Sequence, residues 1–173
     1  GPMVFCDAMD DEFGVLAFCN SKLFQAYLDV VMQGFHYSAG VLAEGPYSKS
    51  VVSPERVGEN VRKALSLSMV DWNSYEVSWD FRSLSIIGSL KDAPRSIESG
   101  FRAWIRESRD AAAEMKRLEE ENNSLFIDAY GLGNELTPDV QIDQVTLTVN
   151  PAYRYGVALS EDEHWARFRQ DSM

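Results

Sequence analysis

The chain has 173 residues, enough for one domain with a real core and short for two independent ones. Its 45% apolar and 25% charged residues are the make-up of an ordinary globular protein rather than a disordered one. A net charge of −11 repels nucleic acid unless the sixteen basic side chains gather on one face, which counts against a stand-alone DNA-binding module but not against a part of a larger DNA enzyme.

No apolar run approaches the roughly 18 residues of a membrane span, and no charged leader precedes an apolar stretch. A cytoplasmic location without membrane contact is therefore expected. The opening Gly1-Pro2-Met3 reads as the scar of a removed purification tag and stays outside the fold argument. Cys6 and Cys19 have no second pair or histidine cluster beside them and read as reduced structural thiols. His36 and His164 are isolated too, so neither a metal site nor a nucleophilic triad is expected.

In chain order, Phe13 to Cys19 is a short apolar run that fits a buried strand or a buried helical turn. Leu23, Phe24, Tyr27, Leu28 and Val31 follow at helical spacing behind Ser21, a good cap, and predict a helix over 21–32. "FHYSAGVLAEGPYSKSVVSP" reads as loops around a short extended piece. Ser53-Pro54-Glu55 opens a second helix, over 54–69, with Val57, Val61, Leu65 and Met69 on one stripe. Trp72 to Phe81 packs two Trp, one Tyr and one Phe into ten residues without a sustained period. Such a cluster anchors an irregular segment onto a helix pair or makes a stacking platform for bases, and the first use is the commoner.

From Ala93 the chain becomes highly charged and helical, and the spacing predicts one long helix over 96–130 stopped by Gly131. About thirty residues at 1.5 Å each make roughly 45 Å, either a spacer or coiled-coil arm or a surface helix packed on its own domain. Val145 to Val149 alternates as a strand does. Ser160 and Glu163 form a capping box for a last helix over 160–171, with Trp165 and Phe168 on its apolar face.

Asn150-Pro151-Ala152-Tyr153 is one residue away from the Asn-Pro-Pro-Tyr motif with which amino-methyltransferases hold an extruded base. The cofactor half of such a site needs a Gly-rich turn after a strand, upstream of the motif. The chain's single Gly-x-Gly, Gly131-Leu132-Gly133, instead follows a helix and lacks the third glycine at Leu136. Half a site has nothing to catalyse with, and Asn150-Pro151 reads as turn chemistry.

"LAFCNSKLFQAYL" nevertheless resembles the Leu-x-x-x-Asn-Ser-Lys pattern in target-recognition regions of adenine-specific DNA methyltransferases, and "FHYSAGVLAEGPY" resembles the loop that follows it. "YEVSWDF", "ENNSLFIDAYGLGNELTP", "VTLTVNPAYRYG" and the ending "RQDSM" are similar to successive landmarks of the PglX-type methyltransferases of BREX phage-defence systems. The resemblance implies an internal fragment lying after the catalytic domain, with the catalytic and S-adenosylmethionine motifs upstream and no catalytic, cofactor or metal residue of its own. It implies DNA as a partner through the parent enzyme, the remainder of the methyltransferase, and other BREX proteins as further candidates.

Within that reading, residues 4–92 form the end of a target-recognition region and 93–173 a helical spacer that positions it. The expected fold is mainly α in an α+β arrangement, with a small mixed N-terminal part. Tyr47, Ser48 and Lys49 are the first candidates for DNA contact, with Lys22 and Arg82 behind them. The alternative is a protein-interaction module in which the long helix pairs with a partner or with itself and no residue touches DNA.

Overall fold

Ser21 ends one helix and starts the next. Its hydroxyl donates to the Phe18 carbonyl at 2.7 Å and accepts from the Phe24 N–H at 3.2 Å, so one buried side chain satisfies a group on each side of the junction. The computed structural model describes residues 5–6, 9–32, 39–48, 54–88, 96–156 and 158–172. Their helices are α1 (Met9–Cys19), α2 (Lys22–Val31), α3 (Ala39–Ala43), α4 (Pro54–Asn73), α5 (Ser85–Gly88), α6 (Ile97–Ala129), α7 (Pro151–Tyr155) and α8 (Glu161–Asp171), with a 3-10 turn at Ile142–Gln144. No helix among them is long and apolar enough to cross a membrane.

The protein is mainly α, and among the described residues there is no strand. The α+β arrangement and the mixed N-terminal part are therefore corrected. Phe13 to Cys19, open between strand and helix on sequence, lies in α1, and part of the segment read as loops around an extended piece is α3. Val145, Leu147 and Val149 are buried while Gln144, Thr146 and Thr148 are exposed, so the period of two is real. The run is still not a strand: the amides of Val145 and Leu147 turn back to the carbonyls of Ile142 and Val145, and those of Thr148 and Val149 go to the Asp71 side chain, with no neighbouring chain edge involved.

Two compact units share the chain, the first built from Gly1–Lys63 with Leu118–Asp139 and the second from Ala64–Arg117 with Val140–Met173. In the first, the Phe18 ring is the hub. It lies 5.1 Å from Phe24, 5.6 Å from Tyr47 and 5.9 Å from Phe126, in the tilted geometry that aromatic pairs prefer. Gly14 makes room for this packing, since a Cβ there would sit 2.0 Å from the Tyr47 hydroxyl oxygen. Buried Asn123 of α6 accepts from the Lys22 N–H at 2.9 Å and donates to the Pro138 carbonyl at 3.0 Å, which gives a first-turn amide of α2 its partner.

The second unit closes around α8. Phe168 stacks on Trp104 at 5.2 Å and meets Trp165 edge-on at 5.6 Å, above Ile105, Met115, Val145 and Leu147. The Arg109 guanidinium lies 5.1 Å from the centre of the Trp165 ring and 3.8 Å from Glu161. The capping box is present as the sequence predicts: the Ser160 hydroxyl accepts from the Glu163 N–H and the Glu163 carboxylate accepts from the Ser160 N–H.

The stripe of α6 is used within the chain itself. Ile105, Ala112, Met115 and Leu118 are all buried, as are Phe126 and Ile127 further along. The helix ends where Gly131 adopts φ +69°, with the Leu132 N–H returning to the Ile127 carbonyl at 2.9 Å. Only a residue without a Cβ takes that backbone cheaply.

Two outcomes follow from this packing. Phe126→Ala should cost about 3–5 kcal/mol in denaturant unfolding followed by circular dichroism, against within about 0.5 kcal/mol for exposed Val30→Ala. The hydroxyl and then the backbone N–H of Ser160 hold the Glu163 carboxyl below its ordinary range. A depressed folded value means the cap is fully effective above the unfolded pKa and fades as pH falls through the folded one. Amide exchange in the first turn of α8 should speed up under mild acid, and Glu163→Gln should flatten that dependence.

Candidate functional site

The near-motif at Asn150 turns out to be a joint. The buried Asn150 side chain donates through Nδ2 to the carbonyls of Ile142 (2.7 Å) and Val145 (2.8 Å), and its Oδ1 accepts from the Ala152 N–H at 3.1 Å. It thereby caps α7, with Pro151 in the first turn, where proline is favoured. All three bonds go to backbone, so the amide has no free face to offer a target amine. Tyr153, the residue that would stack on a base, is half exposed.

Just before it, Asp71 holds the chain. One carboxylate oxygen accepts from the Thr148 N–H at 2.7 Å and the other from the Val149 N–H at 3.1 Å. Asp71 lies in the last turn of α4, where the helix dipole disfavours a negative charge; two charge-assisted amide bonds offset that cost. Its charge is also felt by Tyr75, whose phenol is pushed up first by burial and then by Asp71, with Arg154 opposing. Beside this joint lies a cavity of about 260 Å³ walled by Leu67, Asp71, Trp104, Glu107, Leu147 and Val149, among others. Sequence reasoning missed Asp71, and no local signal could have found it, because its partners lie 77 and 78 residues away.

The other feature is the aromatic cluster. Trp72 and Trp79 are 59% and 102% exposed and do not anchor the segment, whereas Tyr75 and Phe81 of the same cluster are half-buried. Short polar bonds brace the segment: the Ser74 hydroxyl donates to the Asp71 carbonyl at 2.6 Å, and the Ser78 hydroxyl to Asn73 Oδ1 at 2.6 Å. The indoles, with Leu65, Met69 and Val77, line an open groove of about 510 Å³.

The sequence-derived DNA candidates are scattered. Tyr47 is half-buried, its ring on Phe18, and Ser48 is half-buried beside it. Lys49 lies outside the described residues. Lys22 opens α2, near enough to Glu119 to oppose the upward push that burial gives that carboxyl. Arg82 is exposed in the other compact unit, so Tyr47, Ser48 and Lys22 share a unit that Arg82 does not. Gly131, at φ +69°, and Gly133 lie in the turn that ends α6 rather than in a turn between a strand and a helix, where a dinucleotide-like cofactor is cradled.

His164 is a satisfied polar residue, its Nε2 2.6 Å from the Gly156 carbonyl. His36 lies outside the described residues. Cys6 and Cys19 are free thiols, the latter exposed.

Because Asn150 is a joint, Asn150→Ala should destabilise the protein by about 2–3 kcal/mol in denaturant unfolding, since the buried Val145 carbonyl and the part-buried Ile142 carbonyl lose their donor. Tyr153→Ala should cost about 1 kcal/mol or less. A base-holding pair would instead leave stability within about 0.5 kcal/mol for both changes.

No protein-family model matches the chain. It is 33% identical to the adenine-specific methyltransferase PglX of Lacticaseibacillus casei (strain Zhang) over 134 residues, which is 76% of this chain and 11% of that protein. It is 23% identical to the adenine-specific methyltransferase BrxX of Escherichia coli O9:H4 (strain HS) over 175 aligned positions, covering 100% of this chain and 14% of that protein. The chain is thus a relative, by sequence, of the PglX-type adenine-specific methyltransferases, and it spans 11–14% of the length of the curated relatives it matches.

Proposed function

We propose that this chain is a non-catalytic stretch of a BREX adenine-specific DNA methyltransferase, where it contributes to DNA target recognition and to the placement of neighbouring parts in phage defence. The observation that carries the proposal is the kinship with adenine-specific methyltransferases across three quarters of the chain or more. The commitment of the Asn150 amide to backbone supports the non-catalytic part. Methyl transfer from S-adenosylmethionine to the adenine amine would then take place elsewhere in the parent enzyme, in the cytoplasm.

In this reading Lys22, Ser48, Lys49 and Arg82 contribute phosphate contacts, and Tyr47 braces the loop through Phe18 rather than stacking on a base. With a net charge of −11 such contacts are few, so affinity is low and steeply dependent on salt.

A second reading, a protein-interaction module without DNA contact, is favoured by the exposed indoles of Trp72 and Trp79. The form of it that pairs α6 with a partner has little to work with, because the apolar stripe of that helix is already buried.

A fluorescence-anisotropy titration of labelled duplex DNA separates the two. Two or three phosphate contacts predict that affinity falls about tenfold to fiftyfold between 50 and 200 mM salt, and that Lys22→Ala with Lys49→Ala and Arg82→Ala removes most of that slope. No binding at 50 mM salt, or binding unchanged by the triple substitution, contradicts the DNA-contact reading.

A further inference from the structure

Two tryptophans in water need a reason. Trp79 is 102% exposed and Trp72 59%, and with Met69 (61%) and Val77 (72%) they form one apolar surface along the groove at the end of α4. An aromatic patch of this kind on a soluble protein marks an interaction site. Its identity is constrained by charge. Between Leu65 and Gly88 the chain carries three carboxylates, Asp71, Glu76 and Asp80, against one cation, Arg82. Asp71 is spent on the backbone of Thr148 and Val149, while Glu76 and Asp80 are exposed within the aromatic turn, Asp80 on the groove wall.

Exposed indole faces beside carboxylates attract ammonium and guanidinium groups and repel phosphates. A stacking platform for single-stranded nucleic acid has the opposite surroundings, a basic groove between its aromatics. The relatives carry this stretch inside polypeptides roughly seven times its length, so far more of their chain lies outside it than within it.

We infer that the Trp72–Trp79 groove is the seat for an Arg- or Lys-bearing apolar segment of the same methyltransferase polypeptide, lying outside these 173 residues. This rests on reading the chain as a stretch of that longer enzyme. The indoles receive the apolar side chains and stack on the basic one, while Glu76 and Asp80 set its position and exclude acidic or phosphorylated competitors.

The test uses the full-length polypeptide, first shown to methylate adenine in duplex DNA, with a benzophenone amino acid in place of Trp79. Irradiation is expected to yield one dominant cross-link, to a peptide of the same polypeptide outside this stretch that holds Arg or Lys among apolar residues. Glu76→Lys with Asp80→Lys should lower its yield about threefold or more. A cross-link to a second copy, to DNA, or within the stretch itself overturns the inference, as does none at all in a protein that still methylates. A full-length polypeptide without adenine methylation overturns the functional reading and this inference together.

Discussion

A single carboxylate decides how the second compact unit is built. Asp71 accepts the amides of Thr148 and Val149 with its two oxygens, and the next residue, Asn150, takes two carbonyls and one further amide with its side chain. Together they supply what a neighbouring strand would have supplied. Because these groups are met, Val145, Leu147 and Val149 can be buried against Trp165 and Phe168 with no sheet present. The Thr148 bond lies at the surface and the Val149 bond is part-buried, so the full penalty for an unmet buried group, about 1–3 kcal/mol, falls on the buried Asn150 bonds rather than on these.

The same device recurs in the first unit, where Asn123 meets the Lys22 amide and the Pro138 carbonyl. Long α6 supplies this polar stitch and, on neighbouring turns, the apolar side chains Leu118, Phe126 and Ile127. It is a core element of each unit it enters, which is why its apolar stripe shows no face left for another helix. Length left a spacer arm and a packed helix equally open; the burial of Ile105, Ala112, Met115, Leu118, Phe126 and Ile127 shows that much of this 33-residue helix is packed within the chain.

The helices were legible because their signals are local. Ser21, Pro54, Gly131 and the Ser160–Glu163 pair each act within a turn or so of their own position, and the observed ends lie within four residues of the expected ones. What could not be read was whatever depends on distant partners. The alternation at Val145–Val149 correctly marked which side chains are buried but could not say whether another strand would be there. Asp71 looked like any surface acid, and sequence could not tell which members of the aromatic cluster are exposed (Trp72, Trp79) and which half-buried (Tyr75, Phe81), nor that short serine bonds brace the turn. At Asn150 the near-motif itself was legible, whereas the three backbone bonds that occupy the amide were not.

The measurement that bears most directly on this picture is amide hydrogen exchange at Thr148 and Val149, by nuclear magnetic resonance, in the unaltered protein and in Asp71→Asn. Both amides should be protected close to the level of global unfolding, although neither lies in a helix or a sheet, and the substitution should speed their exchange far more than that of the α8 amides. Fast exchange at both positions in the unaltered protein, or protection indifferent to Asp71→Asn, would contradict the role given to that carboxylate and to the strandless burial built on it.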